Sequence, residues 1–227
     1  MNKFVIFDLD NTFYTYEPTH QIALEDVFNE QSYFTDINSF NIEYYKSKKT
    51  VKDLLGNNPS KHSKLLYFKN MFETHLSLKE IIRLTEIYWE SFIQKADISK
   101  EVIEKLNVNK SKDDYYILCT NQNTNTQLKK ISSWGLDLFN LVITSEEVGY
   151  EKPDTNFFTY VEEIIKKRDI SFYDFYAIGD DFKNDIEFWK DKYNAKSYLI
   201  DNSVNRYENI NDVVHTNINH AIGDILD

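Results

Sequence analysis

Two aspartates stand two residues apart in the run Asp8-Leu9-Asp10-Asn11-Thr12, at the end of a short apolar run over residues 3–8. Three other segments carry residues of related chemistry. Thr120 and Asn121 close an apolar run over 115–120, Lys152 stands before Pro153, and Asp180, Asp181 and Asp185 close or follow a run over 175–180. Clustered carboxylates repel one another unless a cation joins them, and an all-oxygen donor set suits Mg²⁺. A carboxylate can also act as a nucleophile and form an aspartyl-phosphate. Phosphoryl transfer then needs in-line positioning and neutralisation of the equatorial oxygens, which a lysine, a hydroxyl, backbone amides and a metal supply.

These residues act together only if the fold gathers them. Strand-length apolar runs occur at 3–8, 115–120, 141–145, 175–180 and 196–201, and such continuous runs suit a parallel sheet buried on both faces. Helical patterns lie between them. Phe157, Phe158, Val161, Ile164 and Ile165 share one helical face, and Lys166, Lys167 and Arg168 close that helix where positive charge suits its dipole. Leu128, Ile131 and Gly135 predict another helix with a glycine stop. Alternating strands and helices predict an α/β, doubly wound, Rossmann-like core. Ligands in such folds gather beyond the carboxyl ends of the strands. Asp8, Asp10, Thr120, Asn121, Lys152, Asp180 and Asp185 all fall at that edge.

Residues 15–96 read differently, as helical faces with no strand. One face carries Leu24, Val27 and Phe28, and a second Phe40, Tyr44, Val51 and Leu55. A third carries Leu65, Phe68 and Phe72, and the last Leu78, Ile81, Ile82, Tyr88, Trp89 and Phe92. The stretch is too long for a plain strand-to-strand connection. It predicts an all-helical domain at 15–96, inserted into a core of residues 1–14 and 97–227.

With these motifs in order, the chain resembles the haloacid dehalogenase-like superfamily of phosphatases. The matching elements are Asp8-Leu9-Asp10-Asn11-Thr12, Thr120-Asn121, Lys152 in Glu151-Lys152-Pro153-Asp154, and Gly179-Asp180-Asp181-Phe182-Lys183-Asn184-Asp185. The helical insert matches that family's type 1 cap by position and character only. The resemblance implies that Asp8 attacks phosphorus and ligates Mg²⁺ through its other oxygen. It implies that Asp10 protonates the leaving oxygen, then activates water, while its carbonyl ligates the metal. Thr120 and the amide of Asn121 would hold phosphoryl oxygens, and Lys152 would balance their charge. Asp180 would ligate the metal directly, and Asp185 would act through water or through Lys152. An acid at Asp10 is implied to separate phosphatases from dehalogenases. A general acid needs its proton near neutral pH, so a raised pKa is expected there.

The remaining features bound the reading. The 227 residues carry a net charge of −11, which disfavours nucleic acid and anionic membrane as partners. No apolar run is long enough to span a bilayer, the N-terminus has no signal-peptide pattern, and Cys119 is the only cysteine. A cytoplasmic protein is expected. Cys119 reads as a buried small hydrophobe, Asp181 equally as a helix cap or a metal partner, and His20, His62 and His75 receive no role. The expected activity is Mg²⁺-dependent hydrolysis of a small phosphorylated metabolite. A phosphomutase of the same fold and a catalytically idle phospho-ligand-binding protein are the alternatives. The sequence names neither the substrate nor an oligomeric state.

Overall fold

A computed structural model describes residues 2–167, 173–203 and 208–226. The chain divides into two compact units, Met1–Thr15 with Ile98–Asp227, and Tyr16–Asp97. It opens with strand β1 (Asn2–Phe7) and then runs into four helices, α1 (Tyr16–Glu30), α2 (Ile37–Leu55), α3 (Lys64–Phe72) and α4 (Leu78–Lys95).

These helices make up the second unit, where α1 packs on α4, and α3 packs on both α2 and α4. Their starts are encoded locally. Asp36, Ser63 and Ser77 stand at the N-caps of α2, α3 and α4, and each accepts a backbone N–H of the first turn. Ser77 completes a reciprocal cap, because Glu80 accepts the Ser77 N–H at 2.9 Å while the Ser77 hydroxyl takes the Glu80 N–H at 3.3 Å. The interior is aromatic, with Phe40, Tyr44, Tyr67, Phe68, Phe72, Tyr88 and Phe92 all buried. His20 is buried among them with Nδ1 2.6 Å from the Tyr88 hydroxyl, and burial, with Lys64 and Lys48 nearby, pushes its pKa down to about 2. The helical phases differ from the sequence reading at four residues. Leu65, Leu78 and Ile82 of this unit, and Leu128 of the other, are exposed. In α3 the buried stripe runs through Lys64, Tyr67, Phe68, Met71 and Phe72, and in α4 through Ile81, Leu84, Tyr88, Ser91 and Phe92.

In the other unit the chain continues through α5 (Lys100–Asn109), β2 (Tyr115–Thr120), α6 (Thr124–Trp134), β3 (Leu141–Thr144), α7 (Ser145–Val148) and α8 (Thr155–Ile165). It then forms β4 (Tyr173–Gly179), a π-helical turn (Phe182–Ile186), α9 (Glu187–Tyr193), β5 (Lys196–Ile200), β6 (Glu208–Ile210), β7 (Val213–Thr216) and α10 (Ile218–Leu226). The sheet order is β3-β2-β1-β4-β5-β7-β6, parallel throughout except for β6 at the edge. This is the predicted α/β class. The pair β6 and β7 was not anticipated. It closes through Asn211-Asp212, both at positive φ, the two-residue turn that matches the twist of a hairpin. Arg168, expected to close α8, lies outside the described residues.

β1 and β2 both lie inside the sheet, away from its edges, and are buried on both faces, as their unbroken apolar runs require. Phe4, Ile6, Ile117 and Cys119 meet Phe157, Phe158, Val161 and Ile165 of α8 and Trp189 of α9 in one cluster. Among the described residues no helix is long and apolar enough to cross a membrane. Replacing Ser77 with Ala removes the reciprocal cap of α4 and should lower stability by about 1 kcal/mol. Urea denaturation checks this, and an unchanged midpoint would show that the cap contributes nothing.

Candidate active site

Parallel pairing carries β1, β2, β3 and β4 to one carboxyl edge. Asp8 is the first residue past β1, and its N–H still reaches the Ile178 carbonyl of β4 at 2.9 Å, so the strand fixes its place. The chain then turns back on itself. Asn11 takes φ of 65°, a left-handed position that asparagine tolerates, and the amides of Thr12 and Phe13 return to the Leu9 carbonyl. The turn brings the Thr12 hydroxyl to Asp8 Oδ2 at 3.1 Å, and Asn202 holds the Thr12 carbonyl at 3.0 Å.

Lys152 is buried at the middle of this edge. Its ammonium donates to Asp8 Oδ1 at 2.9 Å, Asp185 Oδ1 at 2.6 Å and the Cys119 carbonyl at 2.6 Å, one acceptor for each of its hydrogens. Its backbone is fixed as well. The Asn121 side chain accepts the Lys152 N–H and donates to the Lys152 carbonyl, both at 2.8 Å. Asp181 serves as a cap, taking the N–H groups of Lys183 and Asn184, while its own N–H donates to Asp185 Oδ2 at 3.0 Å. Gly179 leaves room for Asp185, since a Cβ there would lie 2.2 Å from the Asp185 Cβ.

Asp8, Asp180 and Asp185 each present a carboxylate oxygen, all within 4.8 Å of one another. Burial, reinforced by Asp185 and Asp180 and opposed by Lys152, pushes Asp8 up to about 8. Burial and the Asp185 charge push Asp180 up to about 6. Burial also works against the Lys152 ammonium, but Asp185 and Asp8 overcome it and hold its pKa above the usual lysine range. Burial, with smaller contributions from the Asp185 and Asp8 charges and against the pull of Lys152, pushes the Cys119 thiol up to about 12, which agrees with an inert core residue.

Asp10 departs from expectation. Burial raises its pKa, but the charge and hydrogen bond of Lys130, with bonds from Tyr14 and Gln127, hold it below the usual carboxylate range. A raised value was expected, and the reason for the opposite sign is the Lys130 ammonium, 2.5 Å from Asp10 Oδ1. Gln127 donates to Asp10 Oδ2 at 2.9 Å and to the Thr120 hydroxyl at 2.6 Å. Thr120 therefore accepts from Gln127 and keeps its own hydrogen to donate. Lys130 and Gln127 are not legible in a sequence reading that puts Leu128 on the inward face of α6. The buried face is instead Gln127, Lys130, Ile131 and Trp134, and polar residues at two core positions of one stripe were the available signal.

The model of the haloacid dehalogenase-like hydrolase family matches residues 3–191 of the chain. The chain belongs to this family. As a haloacid dehalogenase-like hydrolase it is 33% identical over 190 residues to the ribulose-1,5-bisphosphate 5-phosphatase of Halopiger xanaduensis, covering 80% of this chain and 78% of that one. Many solved structures share its fold, among them the following two. The 2-haloacid dehalogenase of Pseudomonas syringae pv. Tomato gives a TM-score of 0.67 at 18% identity, over 100% of this chain and 98% of that one. A phosphatase of the family from Thermococcus onnurineus gives 0.60 at 18% identity, over 99% and 98%.

Two outcomes follow for this hydrolase. Gly179→Ala forces Asp185 to move and should cost about 1–3 kcal/mol, the usual penalty of overpacking. A thermal midpoint equal to wild type would show that Asp185 is not confined there. The second concerns pH. Asp8 and Asp180 hold their protons in the fold to about 8 and about 6, whereas unfolded aspartate titrates near ~3.9. The folded state thus binds more protons across that window, and stability of the metal-free protein falls as pH rises through it. Asp8→Asn should flatten this fall, measured as thermal midpoint against pH in chelator. Parallel curves for the two proteins would contradict it.

Proposed function

We propose that the chain is a Mg²⁺-dependent phosphatase that hydrolyses a small phosphate monoester through an aspartyl-phosphate on Asp8. The observation that carries this reading is the Lys152 ammonium, buried between Asp8 and Asp185 beside a third carboxylate, Asp180. The donors fit the metal. They are carboxylate oxygens, which suit a hard cation, and burial first, with neighbouring carboxylate charge second, raises the proton affinity of Asp8 and Asp180, a penalty on their ionised forms that a cation would offset. Asp8, Asp180 and Asp185, with the Asp10 carbonyl, would hold it. When bound, the ion supplies positive charge to the ionised carboxylates and to the phosphoryl oxygens.

The chain's own groups account for the rest. An Asp8 oxygen forms the new bond to phosphorus, and the ester P–O bond breaks with its electron pair on the leaving oxygen. Asp10 gives its proton to that oxygen. As a carboxylate, Asp10 then takes a proton from water, whose oxygen attacks phosphorus and releases orthophosphate and Asp8. The ionised Asp10 of the free protein is suited to this second step. For the first, the negative charge of an entering phosphate raises the proton affinity of Asp10. Thr120 and the Asn121 amide would bind phosphoryl oxygens, with Lys152 as their counter-charge.

The relative from Halopiger xanaduensis acts on a sugar bisphosphate, which supports testing sugar phosphates first. The test is a panel of phosphorylated metabolites with Mg²⁺, reading orthophosphate. Asp8→Asn should lower kcat by roughly 10⁴-fold or more while keeping the fold. Comparable release from that variant would overturn the mechanism. Transfer to a bisphosphate without orthophosphate would mark a mutase instead.

A further inference from the structure

Asp10 and the residues that touch it form a second polar centre at the same sheet edge. Gln127 and Lys130 lie one turn apart on α6, and both are completely buried. Burying a lysine and a glutamine in a helix that could have carried apolar residues costs free energy unless each finds partners. Lys130 Nζ finds Asp10 Oδ1 at 2.5 Å and the Tyr14 hydroxyl at 2.9 Å. The Tyr14 hydroxyl itself donates to the same Oδ1. Gln127 Nε2 takes the other carboxylate oxygen and the Thr120 hydroxyl. Both oxygens of Asp10 are thus held from outside their own loop. Gln127 Oε1 is buried with no partner among the described residues, so this amide orientation is maintained at a cost. The Tyr14 ring is backed in turn by Trp134 of the same helix, edge-on at 4.9 Å between centroids.

We propose that Lys130, Gln127 and Tyr14 are positioning residues that fix the rotation of the Asp10 carboxylate and tie it to the phosphate-side hydroxyl of Thr120. This rests on the role given to Asp10 above. One Asp10 oxygen must face the reacting centre twice, once to give a proton to the leaving oxygen and once to take one from water. A carboxylate free to rotate spends part of its time turned away, and such loss of alignment slows the chemical step without weakening substrate binding. A merely structural ion pair would instead show its effect in stability, and its removal would lower activity whether or not residue 10 is an acid.

The experiment uses the Mg²⁺-loaded enzyme with p-nitrophenyl phosphate, or with the best substrate of the panel. Asp10→Asn, Lys130→Met and the double variant are compared with wild type for kcat and KM, with thermal midpoints alongside. Lys130→Met should lower kcat by roughly 10–100-fold, within the range general acid–base catalysis supplies, with KM within about threefold. In the Asp10→Asn background it should lower kcat no further, because residues acting as one unit are not additive. An unchanged kcat in Lys130→Met, or an equal loss in both backgrounds, overturns the proposal. Wild-type turnover by Asp10→Asn sinks the role of Asp10 itself, a separate failure. If Lys130→Met does not fold, Tyr14→Phe, which removes only the bridging hydroxyl, takes its place in the same cycle. An unchanged kcat there also overturns the proposal.

Discussion

The site depends on one buried cation. Lys152 places its ammonium against Asp8, Asp185 and the Cys119 carbonyl, with almost no exposure to water. Taking an ammonium out of water costs several kcal/mol, recovered only when geometry is good and every hydrogen is accepted. Much of the surrounding structure supplies that geometry. Asn121 grips the Lys152 backbone on both sides, the cap at Asp181 directs its own N–H to Asp185, and Gly179 has no side chain to displace that carboxylate. The result is an edge where positive charge is fixed in advance, which is the condition for stabilising charge that develops during a reaction.

Asp8 and Asp10 are the same residue type, two positions apart, with opposite proton affinities. Asp8 is buried with Asp185 and Asp180 close by, and its lysine only partly offsets them. Asp10 has a cation and two further hydrogen-bond donors, and among the described residues no second carboxylate reaches it within hydrogen-bonding contact. Neighbouring carboxyl groups whose environments separate their titration can divide acid, base and nucleophile roles between them. Each aspartate here has its own lysine, and the two lysines come from different segments, Lys152 before α8 and Lys130 within α6.

This explains what the sequence could and could not convey. A parallel sheet sends every strand in one direction, so residues at the ends of apolar runs share an edge whatever their separation in the chain. Asp8 and Thr120 were legible for that reason, and Lys152 and Asp185, which lie further along the chain from β3 and β4, through the motifs that the chain shares with its family. The direction of the Asp10 shift was not, because it depends on the rotational phase of α6. Leu128 as the inward residue turns Lys130 towards solvent, whereas Gln127, Lys130, Ile131 and Trp134 inward bring it to Asp10. The same phase problem misplaced Leu65, Leu78 and Ile82, whose helices bury a stripe adjacent to the most apolar-looking one. β6 escapes a reading by apolar runs because it is an exposed three-residue edge strand, and β7 because its four residues, though largely buried, hold only Val213 and Val214 as apolar side chains. The two readings of Asp181 needed coordinates, since a cap and a metal ligand look alike in sequence.

The need for support from α6 follows from where β1 ends. Asp8 continues the strand's pairing through its bond to Ile178, so its backbone is as fixed as the sheet. Asp10 lies two residues on, just before the left-handed turn at Asn11, where regular pairing has stopped. A carboxylate on such a turn has no strand to orient it. Groups on regular elements hold a geometry more closely than groups on loops. Bonds from Lys130 and Gln127 transfer the rigidity of a helix to a loop residue. The turn at Asn11 gives Asp10 its position, and α6 gives it its orientation.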